Sequence, residues 1–139
     1  MAKGRKLPVV LTDAEIDAIL ACFNRRYFTS YRNSLMVRTG LATRMRISEI
    51  LKLKYEDMRL MGMAYRVHIH DAKSGKDRIL SLPADLGAEL GKLAKRQGCD
   101  CVGLVFTPTA NGAPIQSQYI RGMMKRIGKR AGVPGFTPT

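Results

Sequence analysis

The stretch from position 41 to position 57, LATRMRISEILKLKYED, constrains the rest of the chain more than any other. Ile47, Ile50, Leu51 and Leu53 recur at helical spacing, which predicts a short amphipathic helix pinned to a core along one face. Pinning of that kind aims the polar residues between the anchors. Arg46, two residues ahead of Ser48-Glu49, is then a rigidly held guanidinium, a donor fork suited to phosphate oxygens. An isolated Arg-x-Ser-Glu run is equally what a solvated helix with a surface Arg–Glu pair looks like, so the surroundings have to decide.

Charge is the first of those surroundings. The 139 residues carry 24 Lys+Arg against 11 Asp+Glu, a net charge of +13, which favours a polyanionic partner through counterion release. A protein of polybasic membrane-surface type would concentrate its charge on one amphipathic helix or carry a lipidation motif, and here the charge is spread along the chain. The length suits a single domain, and no apolar run approaches a membrane span. MAKGRKLPVVL is too short in its apolar part for a secretory signal, so a soluble, cytoplasmic protein is expected. Cys22, Cys99 and Cys101 are odd in number and fit reduced thiols better than a disulfide framework. Cys99-Asp100-Cys101 lacks the second ligand pair that a metal site requires, and His68 and His70, alternating on one face of a strand, are two ligands and not a site.

Local patterns order the chain. Residues 1–11 form a basic, proline-bearing extended lead-in. Thr12-Asp13-Ala14-Glu15 is a capping box that opens a helix over 13–23, with Ile16, Ile19, Leu20 and Phe23 on its apolar face. Leu35, Met36 and Leu41 continue a buried helix toward Arg46, with Gly40 leaving its end open. AYRVHIH and DRILSLP alternate as two strands of a hairpin joined by a polar turn that carries Lys73, Gly75 and Lys76. Pro83 opens a helix with Leu86, Leu90 and Leu93 on one face, stopped by Gly98. Leu104, Val105 and Phe106 make a short buried piece before the turn-rich loop TPTANGAPIQSQ. A last helix from Ser117 to Ala131 buries Ile120, Met123, Met124 and Ile127, and sets Arg121, Lys125, Arg126, Lys129 and Arg130 on its other side.

In combination, these segments resemble the tyrosine recombinases, the phage-integrase family. Ala42-Thr43-Arg44-Met45-Arg46-Ile47-Ser48-Glu49-Ile50, followed by Leu53 and Asp57, is similar to the family's first arginine box, with Arg44 where the family places glycine. An arginine there either tolerates the turn with some strain or shifts the loop that carries Arg46. Lys73-Ser74-Gly75-Lys76-Asp77-Arg78 resembles the K-x-G-x-x-R hairpin, with Lys76 as the alternative lysine if the register slips. Leu11-Thr12-x-x-Glu15 resembles the opening of the catalytic domain, and 104–117 resembles the LF-P-x-x-G-x-P-x-S connection.

The resemblance implies an α+β fold: a mainly helical catalytic core with a small antiparallel sheet, occupying 12–139 and incomplete at its C-terminal end. It implies attack of a tyrosine on a DNA phosphodiester, giving a 3′-phosphotyrosyl link, with arginines stabilising the phosphoryl charge and a lysine protonating the departing 5′ oxygen. Carried over by motif, Arg46 is the first arginine, Glu49 braces it, and Lys73 is the general acid. Arg44, Lys76, Arg78, Arg121, Lys125, Arg126 and Lys129 are expected DNA contacts. GVPGFTPT resembles the segment that precedes the family's His-x-x-Arg box, so the second arginine, its histidine and the nucleophile have no counterpart here, and Tyr27, Tyr31, Tyr55, Tyr65 and Tyr119 all precede the place for it.

The expected partner is double-stranded DNA, with self-association of the longer parent on it, no membrane and no metal or other cofactor. The parent is expected to be bacterial or phage-encoded and nucleoid-associated. An incomplete fold is expected to expose apolar surface, with association or disorder toward the C-terminal end. The alternative is a catalytically silent DNA-binding module derived from an integrase. A basic RNA-binding protein of ribosomal type has nothing beyond charge in its favour.

Overall fold

The chain enters its first helix through a complete capping box. Thr12 Oγ1 accepts from the Glu15 amide at 3.1 Å, and Glu15 Oε1 accepts from the Thr12 amide at 2.8 Å, satisfying two of the donors that a helix start leaves open. Helix α1 (Asp13–Leu20) stops short of the expected Phe23. Asn24 gives the reason: its Oδ1 accepts from the Arg26 amide and its own amide donates to Ser30 Oγ, a local turn that competes with the helix. The computed structural model describes residues 11–70, 75–98, 103–108, 115–133 and 136. Lys73, Cys99, Cys101 and most of the 107–118 loop, positions 109–114, lie outside them.

Helix α2 (Phe28–Thr43) is the central element and the least legible from its pattern, because polar residues are buried alongside Leu35, Met36 and Val37. Each finds partners. Ser34 and Thr39 donate to the Tyr31 and Leu35 carbonyls, both at 2.7 Å. Arg32, only 3 % exposed, donates to the Thr107 carbonyl at 3.0 Å, to Asn33 Oδ1 and to the Tyr119 hydroxyl at 3.1 Å. Burial lowers the pKa of Arg32, with Tyr119 opposing the shift. The buried charge is tolerable because its donors are satisfied, and it ties α2 to two remote segments.

Arg44 ends α2 with φ 58° and ψ 29°, the one positive φ outside glycine among the described residues. Of the two outcomes open at this position, the chain takes the strained turn. Met45 and Ile47 are both buried on either side of Arg46, so the loop stays anchored. Helix α3 (Ile47–Lys52) follows, and Ile47, Ile50, Leu51 and Leu53 all enter the core as their spacing predicts.

A 3-10 turn over Tyr55–Asp57 leads to β1 (Met58–Met61), β2 (Ala64–Ile69) and β3 (Arg78–Pro83), an antiparallel sheet in the order β1-β2-β3. The β2–β3 hairpin was predicted. Strand β1 was not, since its pairing of Met58 with Val67 and Met61 with Ala64 depends on a partner rather than on an alternating pattern. Val67, Ile69 and Leu82 are buried, while Arg66, His68 and His70 face outward. Helix α4 (Ala84–Gln97) buries Leu86, Leu90 and Leu93. Gly87 is its close-approach point, where a Cβ would lie 2.1 Å from the Tyr65 ring. Val105 and Phe106 are fully buried, fixed by a bridge between Lys54 and Leu104. Helix α5 (Ser117–Ala131) buries Ile120, Met123, Met124 and Ile127 and packs on α1 and α3.

The architecture is thus α+β, mainly helical, around one core. The large apolar residues exposed among the described positions are Tyr27, Leu60, Met61, Met63 and Ile79, most of them on the sheet rather than toward the C-terminal end. Val133 and Phe136 are buried. No helix among the described residues is long and apolar enough to cross a membrane.

A left-handed conformation costs a residue with a Cβ about 1 kcal/mol relative to glycine. Arg44→Gly is expected to raise the unfolding free energy by up to about 1 kcal/mol, measured by urea denaturation, with the difference appearing in the midpoint and not in the slope.

Candidate nucleic-acid interface

Arg46 is the residue through which α3 begins. Its backbone is extended, φ −67° and ψ 153°, and its amide donates to Glu49 Oε1 at 2.8 Å. With Met45 and Ile47 buried on either side, the main chain at Arg46 is held at three points. The side chain is half-buried, and among the described residues no acceptor takes a hydrogen bond from its guanidinium. Its donors are therefore available to a ligand, on a main chain that is held.

Glu49 does more than brace Arg46. Its Oε1 and Oε2 accept from Arg78 Nη2 at 2.8 Å and Nη1 at 2.7 Å, a bidentate pair in which the glutamate side chain is 10 % exposed. Burial pushes the Glu49 carboxyl up, but the Arg78 fork, the Arg46 amide and the two nearby guanidinium charges outweigh it and hold the pKa below the usual range. The brace therefore acts on the main chain of Arg46 and on the side chain of Arg78. Arg78, expected as a DNA contact, spends its fork on Glu49. Sequence offered no sign of this pairing, since it joins positions 29 residues apart and depends on which face of β3 Arg78 occupies.

Arg78 is the first residue of β3 and pairs with Ile69, the last of β2, so this pair closes the mouth of the 70–77 connection. Lys73 lies outside the described residues. The root of its hairpin is fastened to the arginine box through one carboxylate. Lys76 is exposed on the same connection, and Arg44 is exposed at the end of α2.

On α5, Arg121, Lys125 and Lys129 form an exposed stripe opposite the buried Met123–Met124 face. Arg126 lies on the neighbouring stripe with Arg130, and both line a cleft of about 320 Å³ shared with Cys22, Phe23, Tyr27 and Asn33. The chain also carries a basic pair that its sequence did not reveal: Arg59 and Arg66 stand directly opposite each other on the outer face of β1 and β2. Like charges so placed repel, and only the unforeseen strand β1 brings them together. Three of the tyrosines are committed internally. Tyr31 donates to Glu89, Tyr55 to the Leu90 carbonyl, and Tyr119 accepts from Arg32 and Asn33.

Known proteins are similar to this chain in sequence and in fold. Tyrosine recombinase XerD of Halalkalibacterium halodurans is 30% identical over 138 residues, which span 93% of this chain and 44% of the relative. Tyrosine recombinase XerH of Campylobacter jejuni is 25% identical over 134 residues, covering 95% and 37% of the two chains. Among solved structures, XerH site-specific recombinase bound to a palindromic difH substrate, a post-cleavage complex, superposes with a TM-score of 0.74 at 24% identity, over 94% of this chain and 38% of that one. XerA recombinase superposes with a TM-score of 0.63 at 23% identity, over 92% and 45%. The chain thus spans less than half the length of these relatives. The model of the phage integrase family matches residues 9–138, and with the arginine box and hairpin folded as described, the chain belongs to the phage integrase family.

Proposed function

We propose that this chain supplies the first arginine and the hairpin lysine of a site-specific DNA recombinase, and that it binds duplex DNA along a basic surface that includes both. The observation that carries this is the shared carboxylate: Glu49 holds the Arg46 main chain and the root of the Lys73 hairpin at once. On this reading the two cations, far apart in sequence, act on one phosphate. Arg46 would fork onto the nonbridging oxygens and stabilise the charge that builds on them, while Lys73 would give its proton to the departing 5′ oxygen. Attack comes from a tyrosine oxygen supplied by the rest of the longer protein, whose bond to phosphorus replaces the P–O5′ bond and leaves a 3′-phosphotyrosyl link.

Arg44, Lys76, Arg121, Lys125 and Lys129 are exposed cations fit for phosphate contacts that position the duplex without reading its bases. Arg126 lies beside the α1–α2 cleft, at the edge of that surface. Arg78 serves the DNA indirectly, by locking Glu49. Relatives of this family are recombinases by name, and one was solved on its DNA substrate.

In the longer protein, Arg46→Ala and Lys73→Ala are each expected to lower strand cleavage at least 100-fold, about 3 kcal/mol of transition-state stabilisation, while DNA affinity by gel shift stays within a few-fold. Cleavage at the wild-type rate by either variant removes that residue from the mechanism. The 139-residue chain alone is expected to shift duplex DNA yet form no covalent adduct on a nicked suicide substrate; a trapped adduct overturns the absence of a nucleophile.

The Glu49 pair has a pH signature. A carboxyl held below its usual value of 4.5 contributes stability that is complete above that value and drains away as pH falls through the lower folded one. Glu49→Gln should cost about 2 kcal/mol at neutral pH. Its stability curve, followed by chemical denaturation, should approach the wild type's as pH drops below 4.5; parallel curves down to pH 2 would show that the pair does not stabilise the fold.

A further inference from the structure

We propose that the outer face of the hairpin root is a binding site for a divalent transition-metal cation, held by His68, His70 and Asp77. Antiparallel pairing makes the site. His68 lies opposite Ile79, which by the same register sets His70 opposite Asp77 and places all three metal-binding side chains on one exposed face. His68 Nε2 stands 3.0 Å from Asp77 Oδ2, and His70 Nδ1 stands 3.8 Å from that same oxygen. The three donor atoms lie within 4.8 Å of one another. Ligands about 2.05 Å from a tetrahedral zinc ion are about 3.3 Å apart, so a shift of well under 1 Å per side chain closes the set and leaves the fourth position to water.

The second carboxylate decides how His70 is presented. Asp57 Oδ2 accepts from the Lys54 amide at 3.3 Å and its Oδ1 lies 3.0 Å from His70 Nε2, with the aspartate side chain only 16% exposed. A neutral His70 therefore carries its proton on Nε2, donates it to Asp57, and turns the lone pair of Nδ1 toward Asp77. At 3.8 Å those two atoms are beyond hydrogen-bond range, and a cation taken up by the carboxylate that already meets His68 Nε2 would draw in the Nδ1 lone pair as well. Two imidazoles with one carboxylate are a borderline-soft donor set, matched to zinc, cobalt or nickel and not to magnesium. Arg66 lies two residues from His68 on the same face, about 7 Å along β2, and the Asp57 and Asp77 carboxylates on the far side answer both that charge and the ion.

A bound ion bridges the ends of β2 and β3 on one face of the sheet while Arg78 fastens the other face to Glu49. It stiffens the root of the Lys73 connection from outside.

The test uses the untagged full chain with zinc alone, in competition with a chromophoric chelator, and cobalt for its visible spectrum. One zinc per chain is expected, weakened at least 100-fold in the double variant His68→Ala/His70→Ala and in Asp77→Asn. Asp57→Asn, which only orients His70, should weaken it about 10-fold. The three cysteines are intact in every variant, so thiol-bound metal cancels. Millimolar magnesium should neither compete nor raise the melting temperature, whereas zinc should raise it in the wild type and not in the double variant. Equal zinc affinity in wild type and double variant overturns the site, and so does a thiolate-to-cobalt charge-transfer band as the sole signature of binding.

Discussion

One carboxylate organises the half of this molecule that holds the candidate site. Glu49 sits in the first turn of α3, where an acid is favoured by the helix start, and there it accepts three hydrogen bonds: one from the Arg46 amide and two from the Arg78 fork. Removing it would take the bidentate acceptor from a half-buried guanidinium and the acceptor from the Arg46 amide, so the arrangement is costly to lose even though its net contribution is modest. The consequence is geometric. α3 cannot rotate, nor β3 slide, without breaking the Glu49–Arg78 pair.

Around that joint the core works as a set of clamps on α2. Arg32 reaches Thr107 and Tyr119, Tyr31 reaches Glu89 on α4, and Met36 and Val37 meet Ile47, Ile50 and Met124. Together these contacts join α2 to α3, α4, α5 and the 103–108 segment, so the helix that carries Arg44 at its end is fixed from several sides. That explains how the chain holds an arginine in a left-handed turn: the surrounding contacts overdetermine the backbone, and the strain of one residue is small beside them.

How much of this could be seen in the sequence depended on whether the signal was local. The Thr12–Glu15 box, the Leu86–Leu90–Leu93 stripe ended by Gly98, and the Ile120–Ile127 face of α5 each lie within a few turns of chain, and each folded as its pattern implies. Helix α2 resisted because Arg32, Asn33, Ser34 and Thr39 are buried with partners that no period reveals. Strand β1 resisted because its four residues borrow their order from β2. Within the candidate site, the arginine box and the hairpin were legible as a resemblance to the family, yet the Arg78–Glu49 pair was not, since register and strand face had to be known first. The same is true of His68 and His70: their shared face follows from alternation, but Asp77 joins them only through the β2–β3 register.

That register has a further consequence for how the two faces of the hairpin divide their work. Residues of odd and even number alternate across the sheet, so Arg78 and its neighbour Asp77 are sent to opposite sides. Arg78 goes inward to Glu49, and Asp77 goes outward to the histidines. A single-residue slip of β3 would exchange them, placing a carboxylate against Glu49 and an arginine against His68, and both faces would then repel where they now attract. Burial of Leu82, together with the glutamate's grip on Arg78, therefore fixes the register from inside, and the length of the 70–77 connection that carries Lys73 is fixed with it. The strand ends from which that connection leaves are in this way set by the pairing itself.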